Sequence, residues 1–178
     1  MNRYMDRRKI LLACVGSIAL HALPRYARAR PAAQPPGEGG IVIDRVAYSA
    51  YIAAFNRRDL AGFTKFYAPD VRFILGGRQE LVGRQAIIDW YEHAWMRLEE
   101  HCTIRRIILD GTGIAAELET SFRAIADWPD FTAGPLRVGD VLRRIGFIHY
   151  DIGAEGFTRV ATAPHRVLEQ PGHWPARP

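Results

Sequence analysis

The chain has 178 residues, 48% of them hydrophobic and 24% charged, a balance that builds a globular core rather than a disordered polymer. Basic residues outnumber acidic ones by 24 to 19, a net charge of +5. No apolar run approaches the roughly 20 residues of a membrane helix, so a stable membrane span is not expected.

In chain order, residues 1–29 read as an export signal. Arg7, Arg8 and Lys9 form a basic start, Ile10 to Leu20 an apolar stretch, and Ala27-Arg28-Ala29 a small-residue cleavage site. The paired arginines resemble a twin-arginine signal, which would send the mature chain to a bacterial periplasm or beyond. A cut after Ala29 removes Arg3, Arg7, Arg8, Lys9, Arg25 and Arg28 but only one acid, Asp6, leaving 18 residues of each sign. The positive charge therefore belongs to the signal and gives no reason to expect a nucleic-acid partner. Cys14 leaves with the signal. Cys102 is then alone, without an internal disulfide partner, and reads as a small core residue.

Residues 30–40 are rich in Pro and Gly and form a flexible lead-in to a domain over 41–165. Residues 41–57 predict a helix, with Ile43, Ala47, Tyr51 and Phe55 at four-residue spacing. Residues 60–67 predict a short second helix that Pro69 ends. A strand over 71–75 stops at Gly76-Gly77. The strongest periodicity, Ile87, Ile88, Tyr91, Ala94, Trp95 and Leu98, predicts a third helix over 84–99. Strands follow over 103–109, 114–126, 138–150 and 157–163, with a loop at 128–137. Residues 166–178 contain three prolines and read as a loose tail. Helices segregated on one face of an antiparallel sheet make an α+β domain.

This order carries local strings that resemble the nuclear-transport-factor-2-like superfamily. They are YIAAFNRRD from Tyr51, FYAPDVRF from Phe66, LVGRQAII from Leu81 and the closing hairpin around Tyr150 and Gly156. The nearest branch is the SnoaL-like polyketide cyclases and ketosteroid isomerases, and the resemblance covers about residues 44–163. It implies a cone: three N-terminal helices packed on a strongly curved, mainly antiparallel sheet around an apolar pocket. Homodimers through the outer sheet face are common in such a family. Carried over position by position, Tyr51 falls where the isomerases keep an oxyanion-holding tyrosine. Their two aspartates fall at Leu75 and near Gly146, so this chain lacks both carboxylates and steroid isomerisation by that route is not expected. The acid completing the epoxide-hydrolase set is missing from 157–163 as well.

A pocket reaction would then need other groups. Glu117 and Glu119 share one strand face. If that face is concave, a desolvated carboxylate there could carry a proton, with Tyr51 steadying an oxyanion. The competing face, Leu118, Thr120, Phe122 and Ala124, is apolar, and the plain alternative is that the two acids are solvated beside Arg123. Phe55, Trp90, Arg144, Ile148 and Tyr150 are expected to line the pocket. His149 is a weaker proton-shuttle candidate, because its strand parity is opposite to that of Ile148 and Tyr150. His93 and His101 lack a third ligand, so no metal or other cofactor is expected. The expected function is an exported, cofactor-free isomerase, lyase or cyclase for a small apolar or aromatic molecule. The alternative is a non-catalytic ligand-binding or dimerisation module.

Overall fold

The computed structural model describes residues 41–175; the expected export signal (1–29) and lead-in (30–40) lie outside the described residues. The order is α1 (Arg45–Asn56), α2 (Leu60–Thr64), β1 (Tyr67–Leu75), β2 (Gln79–Val82), α3 (Arg84–Trp95), β3 (Leu98–Leu109), β4 (Gly113–Ala124), β5 (Val141–Gly153) and β6 (Gly156–Glu169). The six strands form one sheet in the order β2-β1-β6-β5-β4-β3. Only β1 and β6 pair in parallel; the other neighbours are antiparallel. The domain is therefore α+β. Among the described residues no helix is long and apolar enough to cross a membrane.

Each helix starts where local chemistry permits. Asp44 caps α1 by accepting from Ala47 N–H at 2.8 Å, and Asp59 caps α2 through Gly62 N–H at 2.8 Å. The helix predicted from 41 therefore begins at Arg45, with Asp44 as its cap. The second helix ends at Thr64, before the predicted 67. Phe66 and Tyr67 are claimed by the sheet: Phe66 C=O accepts from Phe157 N–H at 2.7 Å, and Arg84 Nε donates to Tyr67 C=O at 3.0 Å.

Further boundaries differ from the sequence expectation: β1 begins at Tyr67 rather than 71, and β5 spans Val141–Gly153 rather than 138–150. The third helix stops at Trp95 and Leu98 already begins β3, because Arg58 Nη1 and Nη2 reach the carbonyls of Trp95 and Leu98 at 3.4 and 3.1 Å. Leu98, placed by periodicity on the helix face, is buried as a strand residue instead. The last strand runs on to Glu169 rather than ending at Ala163, since the long β5 supplies partners as far as Arg143. Pro164 is accommodated at an irregularity in that ladder, where a missing N–H is tolerated. Strand β2 was not foreseen; four residues are too few to show a period.

The core lies between the helices and one sheet face. Tyr48, Tyr51, Ile52 and Phe55 of α1 meet Phe63 of α2, Tyr91 and Trp95 of α3, and inward residues of the strands. Along β4 the buried residues are Ile114, Ala116, Leu118, Thr120, Phe122 and Ala124. The strand period of two therefore sends Glu117 and Glu119 to the opposite face.

Candidate functional site

Between the helices and the sheet lies a cavity of about 180 Å³. Tyr51, Ile52 and Phe55 of α1 and Trp90 and Tyr91 of α3 line one side. The sheet supplies Phe73 and Leu75 from β1, Glu100 and Cys102 from β3, and Leu118, Thr120 and Phe122 from β4. Strand β5 adds Leu142, Arg144, Gly146, Ile148 and Tyr150. The rim comes from Arg78, the 131–133 loop, the second half of β6 and Trp174.

Glu100 stands out in this lining. Its Oε2 is buried and finds no hydrogen-bond partner among the described residues. A carboxylate oxygen left that way is costly, so a native fold that keeps one has a reason outside packing. Desolvation by burial pushes its carboxyl up to about 7, against the opposing pull of the Arg144 charge. Arg144 places its guanidinium carbon 4.9 Å from the centre of the Phe122 ring, where the ring face attracts the cation. In the ladder Phe122 lies opposite Glu100, and Arg144 lies opposite Thr120. Acid, ring and base thus occupy adjacent positions on one face of β3, β4 and β5.

The position of Glu100 follows from its two strand neighbours. Strand β3 is an edge, so its outer backbone groups need partners from elsewhere. Asn56 at the end of α1 supplies them: its Nδ2 donates to Cys102 C=O and its Oδ1 accepts from Cys102 N–H, both at 2.8 Å. Arg58 holds Leu98 C=O. Leu98, Glu100 and Cys102 then face inward together.

The phenols and the thiol in and beside the wall are neutral. Tyr51 and Tyr67 share a hydroxyl–hydroxyl hydrogen bond of 2.7 Å, and Tyr48 donates to Tyr150 at 3.1 Å. Burial holds all four phenols above their ordinary value. Tyr91 is raised by burial and further by the Glu100 charge. The Cys102 thiol is raised by burial too, and lies 3.7 Å from Thr120 Oγ1, so it is a protonated wall group and not a thiolate.

The residues expected at the site divide into two sets. Tyr51, Phe55, Trp90, Arg144, Ile148 and Tyr150 line the cavity together. Glu117 and Glu119 do not, which corrects the concave placement considered for them: the apolar face of β4 took the inside. Glu119 instead bridges Arg105 at 2.5 Å and Arg143 at 2.7 Å on the outer face, and those arginines lower its carboxyl. His149 is exposed on the outer face, with Nδ1 3.4 Å from Asp151. Leu75 and Gly146, where the isomerase aspartates would fall, do face the cavity, but the carboxyl enters from a different wall. Glu100 was missed because the third helix was taken to 99 and the next strand from 103, which left it in the connection between them instead of in β3. The signal that would have found it is the apolar alternation of Leu98 and Cys102 on either side. Among the described residues no three His, Cys, Asp or Glu side chains cluster as a metal site.

A family model for the SnoaL-like domain matches residues 48–149. Solved structures similar to this chain include a candidate polyketide cyclase from Xanthomonas campestris, with 23% identity and a TM-score of 0.55, covering 65% of this chain and 85% of that one. Another, from Silicibacter, has 22% identity and a TM-score of 0.59, covering 66% and 85%. An epoxide hydrolase of the LEH-like type from M. tuberculosis has 12% identity and a TM-score of 0.55, covering 67% and 80%. At these identities the likeness shows the fold alone. No curated protein matches the sequence.

Proposed function

This chain belongs to the SnoaL-like domain family, and we propose on that premise that it is a small-molecule isomerase, lyase or cyclase in which Glu100 moves the proton. The observation that carries the reading is the buried, unpartnered Oε2 of Glu100 in the cavity wall. A carboxyl titrating at about 7 is half protonated at neutral pH. It can take a proton from a carbon beside a carbonyl and return it to another atom, which is where general acid–base catalysis is most effective. No oxidant or co-reactant is needed: a C–H bond breaks, an O–H bond forms on Glu100, and the same proton is handed back. Arg144, on the same wall, would take up the negative charge that develops on the substrate oxygen. Tyr51 and Tyr91 are neutral phenols on the facing wall and would orient that oxygen.

The size of the cavity narrows the substrate. An apolar protein cavity of about 150 Å³ holds a benzene ring. A chamber of about 180 Å³ lined mainly by aromatic and aliphatic side chains suits one ring or two fused rings bearing a carbonyl.

The reading is tested with β-tetralone, a two-ring ketone with an acidic carbon, by following hydrogen–deuterium exchange next to its carbonyl by NMR. The wild-type chain is expected to accelerate exchange, Glu100→Gln to lose at least about a hundredfold of that acceleration, and Glu119→Gln to keep it. Full exchange in Glu100→Gln would remove the proposed role. The rival reading is a binding module, favoured by the pairing of Tyr51 with Tyr67 and Tyr48 with Tyr150, which leaves fewer free donors for an oxyanion. It predicts that β-tetralone binds without faster exchange.

A further inference from the structure

Residues 170–175 lie beyond the 48–149 stretch that the family model matches, yet Trp174 among them lines the cavity. They fold back on themselves: Gln170 Nε2 donates to Pro175 C=O at 3.1 Å and Trp174 N–H to Pro171 C=O at 3.0 Å. This hook is fastened to the loop between β4 and β5. Trp174 Nε1–H donates to Pro135 C=O at 2.7 Å, and His173 Nε2 lies 3.7 Å from Asp140 Oδ2. The loop itself is pinched shut by a two-way backbone bridge, Trp128 N–H to Leu136 C=O at 2.8 Å and the reverse at 3.0 Å.

The joint is fitted around the indole. A Cβ at Gly134 would stand 2.7 Å from Trp174 Cζ2 and 3.0 Å from two more ring atoms, so the ring packs closely against a backbone that has no side chain. Gly134 also has a φ of +140°, which L side chains rarely adopt. Both halves of the joint face the cavity: Phe131, Thr132 and Ala133 from the loop, and Trp174 from the hook. Arg78 Nη1 donates to Thr132 C=O at 3.1 Å and draws the β1–β2 turn into the same rim.

From this arrangement we infer that the C-terminal hook is a size gate in which Trp174 is the specificity-determining residue, limiting the cavity to ligands of one or two fused rings. The inference rests on the reading of the cavity as a ligand site, but not on the chemistry of Glu100. A purely structural indole would stabilise the loop without affecting which ligands fit. A gate changes the ratio of affinities for small and large ligands of the same chemistry.

The test uses the full chain and two fluorescent phenols, naphthol with two rings and hydroxypyrene with four, titrated by fluorescence. Wild-type protein is expected to prefer naphthol by at least about tenfold. Trp174→Ala should lower that preference by about tenfold or more, mainly through tighter hydroxypyrene binding. Gly134→Ala should do the same with the indole still present, because the new methyl group displaces it, and it serves if Trp174→Ala does not fold. Trp174→Phe, which keeps a ring in the wall, should restore most of the preference. Folded Trp174→Ala or Gly134→Ala that keeps the wild-type ratio overturns the gate while naphthol binding leaves the ligand site standing. Failure of naphthol to bind any of these proteins overturns both.

Discussion

Glu100 and Glu119 are both acids on adjacent strands, and the sheet treats them in opposite ways. Burial raises the Glu100 carboxyl from 4.5 to about 7; Arg143 and Arg105 lower that of Glu119. The stability consequences have opposite signs. For Glu100 the unfolded chain releases its proton first, so the stability tied to this group is complete below pH 4.5 and is lost as pH rises to about 7. The loss amounts to about 2 to 3 kcal/mol, the lower figure allowing for the part of the side chain that water reaches. For Glu119 the contribution is present above its ordinary value and is lost as pH falls below it. Denaturant midpoints at pH 4.5 and pH 8 check the first effect: Glu100→Gln should flatten the decline seen in wild type and be the more stable protein at pH 8. Equal declines in the two proteins would mean that Glu100 is solvated. Alternation along β4 shows which residues share a face, but not which face is inside. The apolar partners Leu118 and Phe122 were the better guide, because burying them gains free energy and burying two acids costs it.

At the scale of elements, the decisive join is the passage from α3 to β3. Helical spacing in the sequence continues through Leu98, so nothing local ends the helix at Trp95. What ends it comes from α1 and the turn after it, some forty residues earlier in the chain: Arg58 on the carbonyls of Trp95 and Leu98, and Asn56 on both backbone groups of Cys102. Such long-range partners cannot be read from the periodicity of one segment. Asn56→Ala leaves a donor and an acceptor of the edge strand without their partner and is expected to destabilise the fold by about 1 to 3 kcal/mol. The same change should slow β-tetralone exchange, since the strand carrying Glu100 loses its anchor. Thermal or urea unfolding beside the exchange assay measures both, and a variant as stable and as fast as wild type would refute the anchoring role. The helices around Tyr51 and Tyr91 were legible because their apolar stripes are long. The second half of β6 was not, because Pro171, Pro175 and Pro178 made residues 166–178 read as tail.

For the molecule as a whole, fold and cavity lining were the legible parts. The strings around Tyr51, Phe66 and Leu81 marked the family, and the parity of Arg144, Ile148 and Tyr150 placed them on the inner face. The carboxyl and the gate were hidden, because each depends on where a distant segment comes to rest: α1 on β3 for Glu100, the chain end on the 131–135 loop for Trp174. The account turns on one property, a carboxyl whose Oε2 is buried in the cavity wall without a hydrogen-bond partner. Carbon-13 NMR titration of the glutamate side chains reads it directly, with Glu100→Gln identifying the resonance by its loss. The account predicts a midpoint of about 7 for Glu100, shifted when naphthol fills the cavity. A midpoint at the ordinary 4.5, indifferent to naphthol, would contradict it.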